Sequence, residues 1–377
     1  MLPKFSVFYI LLMKNKGWLK VVAFLLILTL AVGYVSARYD YPPNHDTRSI
    51  AAFAELKKNT VDGVAIGTSV VKYGFVPTAA YEQTGAAVGL LATSLQPFGA
   101  TIPLLEYAKK TQNIKFAIID IHGLRSAAVK NSVVPAKIQN LYLNIPNRLD
   151  GYKLMFGLFD YADRVYEYYG KPEDGKPVVD KSELYWYVPF INFHSRWKDG
   201  LVKKDFIKPK TTYLGAYDIK SRVFATTDCS RYFYCWDYET TDIDDFQKNE
   251  LSLLFDFLKE NDIEPLFINM PSFRDKKEQQ ENASLIEYCK KQGYKAIDFC
   301  TREMLQKLSV DPKTDFLNRG HFNSRGAVKF SKYIAGYLSE NGFGAQDHRG
   351  QQNYTVWDEQ AEKYNKFFEK GWKNAGK

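Results

Sequence analysis

The chain has 377 residues, of which 45% are hydrophobic, 25% charged and 15% aromatic. That length and balance exclude a disulfide miniprotein and a wholly disordered chain, and leave room for one large domain or two ordinary ones. The formal charge is +8, from 51 Lys and Arg against 43 Asp and Glu; a nucleic-acid surface is one reading of such a balance until the charge is located.

The N-terminus accounts for half of it. Residues 1–37 hold Lys4, Lys14, Lys16 and Lys20 and no acid, and 21–37 carry no charge. With Gly17, Trp18, Leu19 and a snorkelling Lys20, this run makes about 30 Å of helix, one hydrocarbon core. Lysines before it and Arg38 after it predict a cytoplasmic segment 1–16, a transmembrane signal anchor 17–37 and an extracytoplasmic remainder. Val35-Ser36-Ala37 is also a small-residue cleavage site, so a removed signal peptide is the competing reading. The apolar patch 5–13 is too short to span and suits an interface.

Past residue 60 the chain alternates strands and helices. Strand patterns fall at 61–67, 86–92, 114–121, 264–270 and 295–299. Helical patterns fall at 78–83, 97–110, much of 134–168, 246–260, 277–292 and 324–341. Apolar strands followed by helices predict an α/β fold: a three-layer α/β/α sandwich with a mostly parallel sheet of about five strands. Residues 171–245 interrupt the alternation and read as an insertion, within a domain spanning 38–345, over one end of the sheet. In the tail, 346–377, Trp357, Ala361, Tyr364, Phe368 and Trp372 form a helix stripe, suited to packing back on the domain or to a membrane or partner contact.

Four cysteines fit an outward-facing compartment. Cys229 and Cys235 are close enough in sequence for a local bridge; Cys289 and Cys300 read equally as a disulfide or as buried thiols. With no CxxC or Cys/His cluster, no structural metal is predicted, and no P-loop or dinucleotide fingerprint calls for a cofactor.

Two positions suggest chemistry. Ser69 follows the first strand in Gly67-Thr68-Ser69, and ligands of open parallel sheets bind beyond the strand ends. His321 lies in Asp315-Phe-Leu-Asn318-Arg-Gly-His321, just before the last amphipathic helix. A serine hydroxyl is a weak nucleophile until a neighbouring base accepts its proton, and a histidine at the same sheet end would be that base. Each alone also reads as a cap, turn or packed residue.

In chain order and fold position, the segments VAIGTSVV (64–71), SLQP (94–97), IIDIHGL (118–124), NFHSRW (192–197), INMP (268–271) and DFLNRGHFNSRGAVKFSKY (315–333) resemble the SGNH/GDSL hydrolase superfamily. They are most similar to its membrane-anchored bacterial members, cell-surface polysaccharide O-acetyltransferases and acetylesterases. The resemblance implies acyl-ester chemistry without a cofactor, an acyl donor, an extracellular polysaccharide, and a membrane-bound O-acyltransferase or export complex as partner. Ser69 matches the nucleophile and His321 the base. The acid position is Asn318, with Asp315 as a substitute or a turn cap. An amide orients the ring but supplies no charge, and in a serine protease the corresponding Asp→Asn change costs about 10⁴ in turnover. Ala92 aligns with the oxyanion-hole glycine; His122 or Gly123 lines the site or fills the core; Arg196 anchors the insertion or binds substrate. Aromatic residues of the insertion, among them Tyr185, Trp186, Tyr187, Trp197 and Trp236, read as its core or as sugar-stacking faces. A catalytically weak or inactive scaffold is the alternative function. The +4 left outside the N-terminus is small and interspersed, which disfavours nucleic acid.

Overall fold

The structure is a computed structural model and describes residues 17–38, 46–171, 177–188, 191, 211–232 and 239–375. These fall into two compact units, one holding the described residues of 46–181 and 211–375, the other 17–38 with 182–188 and 191. The smaller unit includes the helix Gly17–Arg38, which is long and apolar enough to cross a membrane.

Five strands build the larger unit: β1 (Gly63–Gly67), β2 (Val88–Ala92), β3 (Phe116–Asp120), β4 (Glu264–Asn269) and β5 (Lys295–Asp298). They form one parallel sheet in the order β2-β1-β3-β4-β5, each within an expected strand. Consecutive residues of β1, β2 and β3 are buried, so both sheet faces are covered, which explains the unbroken apolar runs. One covered face joins Ala65, Leu90, Ile118 and Ile268 to Val71, Phe330 and Ile334.

The helix Ser324–Glu340 forms because apolar residues recur along one face and Asn323 caps it, accepting from the N–H groups of Arg325 and Gly326. It packs against Pro77–Thr84, whose start is fixed by a proline in its first turn and whose end is closed by Gly85 in the left-handed region. The Ser331 hydroxyl donates to Ala327 O and accepts the Val76 N–H at 2.8 Å.

A small antiparallel ladder of β6 (Phe316–Asn318) and β7 (His321–Phe322) precedes this helix. Strands this short carry no periodicity, and they escape sequence reading. The tail stripe packs back on the larger unit: in helix Thr355–Ala375, Trp357, Ala361 and Tyr364 are buried, and Trp372 Nε1 donates to Ser324 Oγ at 2.9 Å.

The expected insertion is not one body. Residues 182–188 and 191 group with the smaller unit, while 211–232 pack on the larger one. There Tyr213 stacks on Phe367, Phe224 meets Trp372 edge-on, and Thr227 N–H donates to Phe316 O. Cys229, Cys289 and Cys300 are buried free thiols, so no disulfide joins Cys289 to Cys300; Cys235 lies outside the described residues.

A Cβ at Gly326 would lie 2.4 Å from Asp315 O and 2.3 Å from the Phe322 ring. Gly326→Ala is therefore expected to destabilise the larger unit by about 1–3 kcal/mol, read as a lower urea midpoint.

Candidate active site

The parallel sheet brings the C-terminal ends of β1, β3 and β4 to one edge, and the β6–β7 turn lies against it. Ser69 opens the short helix Ser69–Gly74 directly after β1. The turn is tight: a Cβ at Gly67 would lie 2.7 Å from Asp120 Cβ and 2.8 Å from Val71 Cγ2. Glycine is required there by close approach.

His321 Nε2 lies 2.8 Å from Ser69 Oγ, and its Nδ1 lies 3.0 Å from Asn318 Oδ1. Asn318 Oδ1 also accepts the Gly320 N–H at 2.9 Å. A backbone N–H can only donate, so this bond turns the amide oxygen toward the ring. Nδ1 must then carry the ring proton, which leaves the Nε2 lone pair for the Ser69 hydroxyl. Tyr73 packs on the His321 ring, centroids 4.6 Å apart. Ser69 and His321 remain half-buried and Asn318 exposed. Burial, then the positive charges of Arg274 and Lys72 with His122, push the His321 pKa down to about 4.

Asp315 is not brought to this ring. Fully buried, it accepts from Lys329 Nζ at 2.7 Å, Asp311 N–H at 2.8 Å and Thr314 Oγ1 at 3.1 Å. It is a turn and ion-pair residue, the turn-cap alternative and not the substitute acid. Ala92 is displaced too as an oxyanion donor. It is buried in β2, and its N–H donates to Ser49 Oγ at 3.3 Å. Helix N–H groups at Ser69, Val70 and Val71 precede Lys72, whose N–H to Thr68 O is the first full-turn bond, and as first-turn donors they lack the usual in-helix acceptor four residues back. Arg196 lies outside the described residues.

His122 belongs to a second array that sequence reading missed. Its Nδ1 lies 2.7 Å from Asp120 Oδ1, and its Nε2 lies 3.0 Å from Ser272 Oγ. All three side chains are buried. The carboxylate draws the proton to Nδ1, so Nε2 accepts the Ser272 hydroxyl. Burial lowers the His122 pKa against the opposing pull of Asp120. Asp120 Oδ2 also accepts, weakly at 3.4 Å, from Thr68 Oγ1. The array thus ties the ends of β3 and β4 to the residue preceding Ser69. Its signal in sequence was an Asp-x-His at a strand end; Ser272 is 150 residues further on.

The β4 exit loop and the β6–β7 turn are joined by Phe273 N–H to Arg319 O at 2.6 Å and Arg319 Nε to Phe273 O at 3.3 Å. This puts Arg274 beside Gly320, where a Cβ would lie 3.3 Å from its Nη2. Lys72 is buried between partners: Asp46 at 2.5 Å, Ser94 Oγ at 3.1 Å and the faces of Tyr73 and Tyr217. Among the described residues no cluster of His, Cys, Asp or Glu is placed to hold a metal.

The arrangement can move a proton from Ser69 to His321 and expose the resulting nucleophile. No known protein-family model matches the chain, and no curated protein matches it.

Two outcomes are expected. Asp120→Ala strands the His122 Nδ1–H in the interior and should cost about 1–3 kcal/mol, read by urea unfolding. Asn318→Asp places a charge on the His321 ring and should raise its titration midpoint above about 4, read by imidazole ¹⁵N NMR. The native value lies below the ordinary 6.5, so the unfolded chain binds the proton more readily. The His321 contribution to stability is present above about 6.5 and is lost as pH falls toward 4.

Proposed function

We propose that the protein is a membrane-anchored, serine-dependent acyl-ester enzyme of SGNH type, an O-acetyltransferase or acetylesterase acting on an extracellular polysaccharide. The observation that carries this reading is the 2.8 Å contact of His321 Nε2 with Ser69 Oγ, in the tautomer that accepts a proton. The finer architecture we assign is a three-layer α/β/α sandwich carrying this site at the strand ends. The helix Gly17–Arg38 is assigned as the anchor, N-terminus inside, with the larger unit outside. A membrane-bound O-acyltransferase or export complex beside that anchor would supply the acyl donor.

In the proposed cycle Ser69 Oγ attacks the donor's carbonyl carbon while its proton passes to His321 Nε2. The tetrahedral oxyanion is met by the first-turn N–H groups of the Ser69 helix. The ester C–O bond breaks, and His321 returns the proton to the leaving oxygen. An acceptor hydroxyl then gives its proton to His321 and attacks the acyl-Ser69 ester, and Ser69 Oγ leaves with that proton. A sugar hydroxyl gives transfer and water gives hydrolysis.

A second reading, a catalytically weak SGNH scaffold that positions an acyltransferase, is favoured by one observation. The group on His321 Nδ1 is a neutral amide, which cannot stabilise the imidazolium against the positive charges of Arg274 and Lys72.

The full chain in detergent, given p-nitrophenyl acetate, separates the two. In the enzyme reading Ser69→Ala lowers turnover at least about 10³-fold and acyl-Ser69 appears by mass spectrometry. Asn318→Ala should lose about 10–10²-fold, whereas Asp315→Ala changes stability rather than turnover per folded molecule. Because the base must be neutral, the rate should fall only as pH drops through about 4, not near 6.5. Absent acyl-Ser69 and no gain in Asn318→Asp would sink the enzyme and leave the scaffold.

A further inference from the structure

Arg274 has no hydrogen-bond or ion-pair partner among the described residues, and its Nε is sealed from solvent without an acceptor. A desolvated guanidinium without a partner is costly, because its hydration is lost and nothing replaces it. The nearest carboxylates are already committed: Glu278 pairs with Arg125, and Asp120 holds His122. Arg125 adds repulsion, and burial together with that neighbour pushes the Arg274 pKa below its ordinary value. The side chain keeps partial exposure and lies over Gly320, within the turn that carries Asn318 and His321. An orphan cation is therefore fixed beside the proposed acid–base group by the loop-to-turn hydrogen bonds of Phe273 and Arg319.

We propose that Arg274 receives an anionic group, a carboxylate or a phosphate, carried by the substrate of the Ser69–His321 site. The proposal rests on the acyl-ester reading for the identity of that substrate, and names its class as an acidic polymer or acidic donor. A guanidinium fork suits both anions, since each presents two oxygens in one plane. Bound there, the anion also supplies charge that Asn318 lacks. His321 faces Arg274 from the β4 exit loop, Lys72 and Tyr73 from the helix after β1, and His122 from the end of β3. Neutralising Arg274 removes the largest positive charge acting on the ring and makes it a stronger base. Lys72 is unsuited to the receptor role, because Asp46 and Ser94 already occupy its ammonium.

The test reads His321 directly and needs no turnover. Full-length Ser69→Ala protein, ¹⁵N-labelled at histidine, is titrated in neutral detergent without additive and with inorganic phosphate, glucuronate or glucose. The expected result is an upward shift of the His321 midpoint by half a pH unit or more with an anion, and none with glucose. A shift with phosphate alone identifies a phosphate-bearing substrate; a shift with glucuronate alone identifies a uronate-like one. In Arg274→Gln the ligand-free midpoint should rise and the anion response vanish. Arg274→Lys keeps the charge but not the fork, and should weaken the anion at least threefold; it serves as the variant of record if Arg274→Gln fails to fold. No shift with either anion, or a shift undiminished in both variants, overturns the proposal. Failure of the esterase assay would leave this readout standing, and failure here would leave acyl-Ser69 chemistry untouched.

Discussion

The candidate site depends on the docking of helix Ser324–Glu340 against Pro77–Thr84. Ser69 and His321 are separated by 252 residues, and no local preference joins them. What brings them together is burial of Phe330, Ile334 and Leu338 against the sheet-facing cluster, with the Ser331 hydroxyl satisfying the Val76 N–H at the junction. Loss of that bond would leave a buried donor unpaired, so the helix has one favourable seating. The β6–β7 turn is carried in with it, and the tyrosine after Lys72 then meets the imidazole face.

Two histidines at one sheet end illustrate how environment divides similar residues. His122 has a carboxylate, a serine and nearly complete burial. His321 has an amide, a serine and access to solvent. The array with the stronger acid is closed off, and the open array lacks an acid. Charge around the open ring is positive, from Arg274 and Lys72, so an anion entering the site alters the base as well as its own binding. The buried array instead braces the turn beneath Ser69, through Asp120 and Thr68.

Legibility in the sequence followed physical scale. The five strands were readable because burial on both faces leaves continuous apolar runs, and the long helices because their stripes repeat over several turns. Ser69 and His321 were readable from their places at element boundaries. The role of Ala92 was not, because it is set by one distant partner, Ser49 from helix Arg48–Ala54; for Asp315 the turn-cap alternative was readable, and its pairing with Lys329 of the following helix was not. Ser272 and Arg274 gave no local signal. One is a loop serine and the other opens a charged run, and only the parallel order of β3 and β4 places them at the site.

The contact between Trp372 and Ser324 has a consequence for the order of assembly. The indole N–H bonds the first residue of the helix that follows His321, and Arg325 lies over the same ring at 3.7 Å. A chain emerging from its N-terminus presents the Ser69 segment early, but this latch is absent until residue 372 has emerged. Synthesis proceeds at roughly 5–20 residues per second, so the two halves of the site, 252 residues apart, are separated by about 13–50 seconds. During that interval the sheet edge and its serine lack their covering helix. The nascent chain therefore holds the serine without its base until His321 and the helix after it have been made, and the Trp372 contact comes last.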